Sequence, residues 1–435
     1  MIVAKFGGSS VANAIQFKKV KEIIESDDNR RIVVSSAMGR RFPEDNKITD
    51  LLYLIHAHLK YSVSGENVFK IIKNRFVEIK EELNLTVDIE GELDKLYSEL
   101  DKSINVGYLV SRGEYLTSLL LADYLGYEFV DSKDIIKFNY NGSINFEKTE
   151  ELIKTYISKY QRIVVPGFYG SMEDGTIKVM SRGGSDITGS ILAKCIDAEK
   201  YENWTDVSGI LMADPRIIDN PKQIEVITYD ELRELSYMGA NVLHEDAIYP
   251  VKELKIPIYI RNTNDKDNPG TKIVEVVEED NNPNIVTGIA GKKDFTAITV
   301  CKHNASNNVG YMKKALDIFY KYNISIEHVP SSIDKFSIIV ETQKIEKVMY
   351  ELVAEIKKSI NTDTIKIEND LALVAIVGRN LANHIGSSGA LFKTLGDNNI
   401  NIKMITQGAD EINIIVGVNN KDFKAAISCI YETFA

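Results

Sequence analysis

The chain has 435 residues, of which 44% are hydrophobic and 26% are charged, and its formal net charge is −11. This composition is typical of a globular protein, and the length predicts two or three domains. The acidic balance excludes the broad basic surface on which nucleic-acid binding depends. Because the sequence contains neither a secretion signal at its start nor an apolar run of ~18 residues, we expect a cytoplasmic protein without a membrane partner.

The first element is an apolar strand that ends at two glycines. Residues 1–6 are followed by Gly7 and Gly8, and residues 11–26 then have helical periodicity. Backbone N–H groups in such a loop can converge on an anion, and Lys5 could neutralise charge on a transferred phosphoryl group. The alternative is an ordinary strand–turn–helix with a surface lysine, and this segment alone favours neither. The glycine spacing fits neither a P-loop nor a Rossmann fingerprint.

Strands and helices alternate through the following 150 residues, which predicts an α/β domain with a mainly parallel sheet. Helical periodicity covers residues 46–102 and 116–125. The predicted strands are residues 31–37, 129–130, 162–169 and 176–180.

A second glycine-rich junction follows the last of these strands, at RGGSD before a helix over residues 187–195. Arg182 could bind a carboxylate through two parallel hydrogen bonds, whereas Asp186 could either serve a substrate site or only cap the helix. Two such junctions in one domain favour a site for two substrates. Glu114, in SRGEY, is predicted to open a helix, where an acid can serve the helix dipole alone.

Two loop-like segments, NTNDKDNPG and EDNNPN, place the main domain boundary near Asn281. An internal repeat lies beyond it, because residues 310–325 align with residues 386–401. In each copy a glycine precedes an amphipathic helix, and Asn-Ile follows that glycine after 13 residues. The spacing predicts two small α+β modules of one type.

The chain resembles the aspartokinase branch of the amino acid kinase family. The motifs that carry the resemblance are KFGGSSVA, VVSSAMG, SRGEYLTSLLLADYL, VPGFYG, SRGGSD, TDVSGILMADPR and, after VLH, IPIYIRNT, in the family's order. ITQGADEINIIV resembles the second of the family's paired ACT domains. The resemblance implies an α/β amino acid kinase fold, with a mainly parallel sheet between helices, followed by two α+β ferredoxin-like ACT modules. The implied domains are a catalytic domain at 1–281, a first ACT module at 282–364, inserted in the second, and a second at 365–435.

The resemblance implies that the protein transfers the γ-phosphate of ATP to the β-carboxylate of L-aspartate, giving 4-phospho-L-aspartate, the first step of lysine, threonine and methionine biosynthesis. No general base is needed, since that carboxylate is ionised at neutral pH. Mg²⁺ is expected to arrive with ATP, without a dedicated metal site. The resemblance also implies an amino-acid effector, lysine or threonine or both, and a homodimer or higher homo-oligomer formed through the ACT modules.

The family's residue roles carry over to matching positions in this sequence. The resemblance assigns ATP binding to Lys5, Phe6, Gly7, Gly8, Ser9, Ser36, Thr205, Asp206, Leu211, Arg216, Asn241 and Val242. It assigns catalysis to Lys5 and Asp186, and aspartate binding to Thr49, Glu114, Arg182 and Ser185. It assigns the effector site to Ser325, Ile326, Glu327, Ser331 and Ser332, which could alternatively only end a strand in a polar loop.

Asn241 departs from the family, which usually has an ATP-contacting lysine at this position. Two other hypotheses stay open beside an active aspartokinase. One is a kinase for a different amino acid, such as glutamate, against which the Glu114 motif and the ACT repeat argue. The other is a catalytically inactive sensor that binds an amino acid through its ACT modules, and Asn241 is its only support.

Overall fold

The structure is a computed structural model that describes residues 1–181, 183–240, 243, 245–277, 284–303 and 309–435. The chain forms two compact units. The first comprises Met1–Ile210, Gln223–Tyr229 and Val242–Glu278, and the second comprises Leu211–Lys222, Asp230–Asn241 and Glu279–Ala435.

The strands and helices of the described residues follow one another in chain order. The strands are β1 (Ile2–Phe6), β2 (Arg30–Ser35), β3 (Glu128–Phe129), β4 (Ile163–Pro166), β5 (Tyr169–Ser171), β6 (Ile177–Val179), β7 (Lys200–Thr205), β8 (Ile210–Leu211), β9 (Gln223–Ile224), β10 (Val226–Thr228), β11 (Ile258–Asn262), β12 (Thr271–Val274), β13 (Gly288–Cys301), β14 (Lys335–Glu341), β15 (Thr364–Val377), β16 (Met404–Gln407) and β17 (Asn413–Asn419). The helices are α1 (Ala14–Glu25), α2 (Ile48–Lys60), α3 (Glu66–Leu83), α4 (Ile89–Ser98), α5 (Val106–Leu125), α6 (Ser132–Ile135), α7 (Phe146–Tyr160), α8 (Gly184–Cys195), α9 (Tyr229–Tyr237), α10 (Glu245–Lys252), α11 (Tyr311–Lys321), α12 (Thr342–Ile345), α13 (Met349–Ile360), α14 (Ser387–Asp397) and α15 (Phe423–Phe434).

The first unit is built on an eight-stranded sheet, counted over its described residues, in the order β10-β12-β11-β7-β1-β2-β4-β3. The neighbouring strands pair in parallel except β11 and β12, which are antiparallel. All five residues of β1 are buried, as expected for a central strand covered on both faces. The predicted α/β class with a mainly parallel sheet is therefore confirmed.

Alternation along β1 assigns its side chains to two layers. Ala4 and Phe6 belong to the large apolar core that includes buried residues of α1–α5. Lys5, between them, points to the opposite face, where its ammonium meets Asp186 of α8. The carboxyl ends of β1, β2 and β7 lie side by side, so the loops that follow these three strands share one edge of the sheet.

The second unit contains a five-stranded antiparallel sheet, within its described part, in the order β14-β13-β15-β17-β16. Its two longest strands, β13 and β15, run through both halves of the sheet. The first half of β13 pairs with the end of β15, next to β17, whereas Phe295–Cys301 pairs with β14 on one side and with the start of β15 on the other. The register shifts near Asp294 and Asp370, which both have positive φ angles.

The predicted internal repeat is present in the structure. Gly310 and Gly386 occupy the position before α11 and α14 with φ angles of 83° and 93°, a conformation that favours glycine. Both helices have 11 residues. Asn323 and Asn399 follow them with φ angles of 54° and 56°, left-handed values that asparagine tolerates. The equal spacing from glycine to asparagine in the two copies thus corresponds to two helices of the same length.

The position of Glu114 corrects one prediction from the sequence. Glu114 does not open a helix but lies in the interior of α5, which begins at Val106. The actual start is capped by Asn105, whose side chain accepts a hydrogen bond from the backbone N–H of Tyr108 at 3.0 Å. Two glycines in the first turns, poor helix formers, obscure this start in the sequence. A role for Glu114 at the helix dipole is therefore excluded.

The helices of the described segments include none with the length and apolarity needed to cross a membrane.

Candidate active site

Lys5 is the centre of a polar cluster in the interior of the first unit. Its ammonium lies 2.5 Å from Oδ1 of Asp186 and donates to Oδ1 of Asn203 at 3.2 Å. The amide of Asn203 in turn donates to Oδ1 of Asp186 at 3.0 Å. Lys5 is only 6% exposed, so the alternative of a surface lysine is excluded. A buried ammonium held by two oxygen acceptors is poised to exchange one of them for a phosphate oxygen.

Asp186 lies in the first turn of α8, where it does not cap the helix. Gly183 occupies the cap position with a φ of 75°, and no side chain accepts a hydrogen bond there. The hydroxyl of Tyr201 donates to the backbone oxygen of Asp186 at 3.1 Å. A Cβ on Gly189 would lie 2.6 Å from the ring of Tyr201, so this glycine allows α8 to approach β7 closely. These contacts hold the carboxylate against Lys5.

The glycine loop after β1 packs directly on the loop after β2. The backbone N–H of Gly39 donates to the carbonyl of Gly8 at 2.8 Å. A Cβ on Gly8 would lie 2.8 Å from the carbonyl oxygen of Ala37, and one on Gly39 would lie 2.6 Å from the carbonyl carbon of Gly8. Only glycine therefore fits at either position without a shift of the backbone.

The remaining phosphate-loop residues line the same edge of the sheet. Gly7 donates its backbone N–H to the carbonyl of Trp204 at 2.9 Å, and Ser36 donates its own to the carbonyl of Phe6 at 3.1 Å. The Phe6 ring is buried and stacks on Trp204 with centroids 6.1 Å apart. Ser9 and Ser36 are half-buried. The structure thus brings Phe6, Gly7 and Ser36 together at the ends of β1, β2 and β7.

Glu114 is a buried acid that forms no salt bridge with any described residue. It is 4% exposed, and one carboxylate oxygen, Oε2, has no hydrogen-bond partner among the described residues. Burial raises its pKa to about 8, although the backbone at Ala37 and the charge of Arg112 lower the value somewhat. A cationic ligand that enters the site would stabilise the ionised form of this buried carboxyl group.

Glu114 reaches this position because Gly113 lets α5 approach the loop after β2. A Cβ on Gly113 would lie 2.9 Å from the Cβ of Ala37 and 3.3 Å from a side-chain carbon of Ile48. The helix α2 follows that loop, and Thr49 is its second residue, half-buried. Thr49 and Glu114 thus lie on two helices that both pack at the loop after β2.

Ser185 is buried and lies against the loop after β4. A Cβ on Gly167, in that loop, would lie only 2.5 Å from the Oγ of Ser185. Three of the residues predicted for the site, Arg182, Asn241 and Val242, lie outside the described residues. The structure therefore describes three of the four residues predicted to bind aspartate.

The residues predicted to contact the nucleotide divide between the two units. Thr205 ends β7, and its hydroxyl donates to exposed Asp206 at 3.2 Å, within the first unit. Leu211, half-buried, and Arg216, exposed, belong to the second unit. The guanidinium of Arg216 is bound by both carboxylate oxygens of Asp214, with distances of 2.6 Å from Nη2 to Oδ2 and 3.0 Å from Nε to Oδ1.

Asn203 is the member of the Lys5 cluster that the sequence motifs did not reveal. It is 3% exposed and sits in β7, whose sequence is KYENWT. A polar amide next to Trp204, in a strand that also contains Tyr201, was the available signal, because buried amides need specific partners. The neighbouring Glu202 has a structural role, since it pairs with Arg30 at 2.7 Å in the interior.

The predicted effector residues lie at the edge of the sheet in the second unit. Ser325, Ser331 and Ser332 are exposed, and Ile326 is half-buried. The backbone N–H of Ser332 donates to the carbonyl of Lys335 at 2.7 Å, which forms a turn into β14.

Glu327 is the charged residue of this segment, and its carboxylate has two partners. It accepts a hydrogen bond from the hydroxyl of Tyr237 and lies 3.4 Å from the ammonium of Lys344. Burial is the largest of the causes that raise the pKa of Tyr237 above its usual value, and the carboxylate of Glu327 adds to it. The segment is thus linked through Glu327 to the end of α9.

Comparison with known families agrees with this architecture. The model of the amino acid kinase family matches residues 1–262, and an ACT domain model matches residues 374–434. The chain belongs to the amino acid kinase family.

Individual relatives narrow this class to its aspartokinase branch. Aspartokinase 3 of Bacillus subtilis is 35% identical over the whole chain and 98% of its own length. The crystal structure of Clostridium acetobutylicum aspartate kinase is 48% identical, covers both chains completely and superposes with a TM-score of 0.94. Escherichia coli aspartokinase III in complex with aspartate and ADP is 26% identical, covers 100% of this chain and 99% of its own, and superposes with a TM-score of 0.78. A second structure of the E. coli enzyme contains lysine and aspartate.

Proposed function

We propose that this aspartokinase transfers the γ-phosphate of ATP to the β-carboxylate of L-aspartate, giving 4-phospho-L-aspartate. The observation that carries the proposal is the buried cluster of Lys5, Asp186 and Asn203 beside the loop of Gly7 and Gly8. The cluster supplies a positive charge where three parallel strands end, which is the usual place for a ligand in such a sheet. The B. subtilis, C. acetobutylicum and E. coli relatives support the substrate assignment.

Lys5 would stabilise the transferred phosphoryl group. When ATP enters, the Lys5 ammonium exchanges its contact with Asp186 for a phosphate oxygen, and the negative charge that develops in transfer is compensated in a site shielded from water. Backbone N–H groups of the loop at Gly8 and Ser9 would face the phosphates. The attacking oxygen is the ionised β-carboxylate itself, so its bond to the γ-phosphorus forms as the bond to the ADP oxygen breaks, without a general base.

Glu114 would bind the ammonium group of aspartate. Its carboxyl is buried and one oxygen lacks a partner among the described residues, so a ligand cation would both satisfy that oxygen and favour the ionised form. Thr49 and Ser185 would complete the aspartate site with hydroxyl groups. Arg182, by resemblance, would bind a carboxylate of the substrate.

Mg²⁺ fits the oxygen donors at this site when it arrives on the nucleotide. The carboxylate of Asp186 and the amide oxygen of Asn203 are hard ligands of the kind that Mg²⁺ accepts. The described residues form no group of three or more His, Cys, Asp or Glu side chains that would hold a metal alone. When bound, the ion would neutralise charge on the phosphates, and Asp186 and Asn203 would hold it.

The second unit would regulate the enzyme through two ACT modules, at residues 282–364 and 365–435. The E. coli relative whose structure contains lysine supports lysine as the effector class. Ser325, Glu327 and Ser332 would bind it, with the Glu327 carboxylate receiving an ammonium group of the amino acid. Pairing of two chains through these modules, and a location in the cytoplasm, remain predictions.

The activity is tested by measuring ADP release from the purified chain with ATP, Mg²⁺ and aspartate. We expect turnover that falls at least ~1,000-fold in Lys5→Ala, since Lys5 supplies the charge at the transferred group. Exposed Lys18 on α1 provides a matched control, and Lys18→Ala should keep full activity. Turnover that is equal in wild type and Lys5→Ala would disprove the proposal, and faster turnover with glutamate than with aspartate would reassign the substrate.

A further inference from the structure

A polar cavity lies in the first unit between α4, α5 and α6, apart from the cluster around Lys5. Its volume is about 90 Å³, several times the space that one water molecule needs. The polar and aromatic residues of its lining are Glu92, Lys95, Tyr108, Arg112, Tyr115 and Lys133. None of these residues belongs to the cluster around Lys5 or to the aspartate site. We call this cavity the Arg112 pocket.

Arg112 is a buried guanidinium whose charge acts on the nearby carboxyl of Glu114 but forms no salt bridge with it. It is 6% exposed, and within the described part of the chain its hydrogen bonds go only to Oγ of Ser111, at 3.3 Å from Nε and 3.0 Å from Nη2. The group carries five N–H donors in a fork whose geometry matches an oxyanion. Because Ser111 accepts only two of them, donors remain available toward the cavity that Arg112 lines.

Three aromatic rings surround the same guanidinium. The centroids of Tyr115, Tyr108 and Tyr169 lie 4.3, 4.7 and 5.4 Å from its central carbon. Such contacts stabilise the cation without consuming its N–H groups. Two of the tyrosine hydroxyls donate to acids, Tyr108 to Glu99 and Tyr169 to Asp131. These hydrogen bonds fix the two rings, and the rings in turn restrict the position of the guanidinium.

The lining of the pocket contains more cations than acids. Its lining contains the cations Lys95, Arg112 and Lys133 against the single acid Glu92. Lys133 lies 3.4 Å from Asp131, outside the lining, which offsets one cation. The carboxylate of Glu92 interacts with the hydroxyl of Tyr115. No acid of the described structure forms a salt bridge with Arg112, so its fork is open to an anion in the cavity.

We propose that the Arg112 pocket binds a small, multiply charged oxyanion, for which inorganic phosphate is the simplest representative. Two free N–H groups of Arg112 form parallel hydrogen bonds to two of its oxygens, and Lys133 approaches a third. The rings of Tyr108 and Tyr115 exclude water from the pair. A free phosphate ion and the phosphate group of a small metabolite share this chemistry.

The proposal is tested by isothermal titration of the full-length protein with inorganic phosphate at constant ionic strength. Because the nucleotide loop also attracts phosphate, the titration is repeated with Lys5→Ala. We expect one saturable site per chain that persists in Lys5→Ala and weakens at least tenfold in Arg112→Gln. Lys133→Gln keeps the buried arginine and should weaken binding at least threefold, while Lys18→Gln should not change it. A parallel titration with glycerol 3-phosphate distinguishes free phosphate from a phosphate ester.

Two outcomes of these titrations would overturn the proposal that the Arg112 pocket binds phosphate. Phosphate binding that is lost in Lys5→Ala and unchanged in Lys133→Gln assigns the ion to the nucleotide loop and overturns the proposal. Absence of saturable binding to the wild type overturns it as well. If Arg112→Gln fails to fold, as judged by its circular dichroism and by turnover with aspartate, the comparison of Lys133→Gln with Lys18→Gln decides alone.

Discussion

Glu114 gives this enzyme a predictable dependence on pH. The free chain holds its carboxyl with a pKa raised from 4.5 to about 8, chiefly by burial. If the ammonium of aspartate binds to the ionised form, the enzyme must first lose a proton. At pH 7, one unit below the pKa, only about a tenth of the carboxyl is ionised, which costs ~1.4 kcal/mol of binding energy.

This cost sets the expected profile of the KM for aspartate. The KM should fall about tenfold for each pH unit from pH 5.5 toward 8, because each unit makes ionisation ~1.4 kcal/mol easier, and should level off above 8. Glu114→Gln keeps the size of the side chain but cannot ionise. Its KM should be high at every pH and lack the tenfold slope.

The assay is ADP release at saturating ATP and Mg²⁺ between pH 5.5 and 9, with aspartate varied at each pH. Glu128→Gln, a change at an exposed acid of β3, serves as the matched control and should reproduce the wild-type profile. A Glu114→Gln variant whose KM keeps the wild-type slope would show that another group carries the titration, and the assignment of Glu114 to the ammonium would be wrong.

The same group makes a prediction about stability without substrate. Because the folded pKa is raised, the contribution of Glu114 to stability is fully present below pH 4.5 and is lost as pH rises through about 8. The loss has an upper limit of ~5 kcal/mol, at 1.36 kcal/mol per pH unit. Urea unfolding should therefore show that Glu114→Gln gains stability relative to wild type between pH 5 and 9.

Three further changes test other parts of the structure. Gly39→Ala should lower turnover at least ~10-fold, because its Cβ would lie 2.6 Å from the backbone of the phosphate loop and displace it. Glu202→Gln should cost ~3–5 kcal/mol in urea unfolding, because it leaves buried Arg30 without its anionic partner. Tyr237→Phe removes a hydroxyl that competes for Glu327, so inhibition by an amino-acid effector should need about fivefold less effector, a change of ~1 kcal/mol in a dose–response assay.

Each of these changes has a matched control. Gly175→Ala places its Cβ in open space and should leave turnover intact, although its positive φ lowers stability slightly. Asp28→Asn breaks an exposed ion pair with Arg162 and should cost under ~1 kcal/mol. Tyr350→Phe alters an exposed ring and should not change inhibition. Equal effects in a test variant and its control would contradict the corresponding prediction.

The sequence predicted the two glycine junctions but could not decide what their charged residues do. Lys5 and Asp186 are far apart in the chain, and each alone fitted an ordinary explanation, a surface lysine and a helix cap. They meet because β1 pairs in parallel with β7, which sets Lys5 opposite Asn203, and because α8 packs closely on β7. That register depends on the whole sheet, so no local pattern could reveal it.

Helix α5 shows a different limit of sequence reasoning. Motif likeness assigned Glu114 to the aspartate site, whereas local propensity placed it at a helix start and missed the cap at Asn105. Tertiary packing stabilises the first turns of α5 despite their glycines, which outweighs intrinsic propensity. The sequence did not predict a role for Arg112, because an arginine in a helical segment is usually exposed. The structure shows that Arg112 is buried among tyrosines from α5 and β5.

The arrangement around Lys5 explains how the lysine proposed to act in catalysis can be buried before a substrate arrives. A lone ammonium in this interior would be costly, and Asp186 with Asn203 compensates it. The two acceptors, Asp186 and Asn203, also contact each other, because the amide of Asn203 donates to the Asp186 carboxylate. This hydrogen bond holds the carboxylate in place when the lysine leaves it. An entering phosphate therefore exchanges one oxygen acceptor for another. Lys5 can shift its contact to the transferred group while the amide of Asn203 still holds the Asp186 carboxylate through a hydrogen bond.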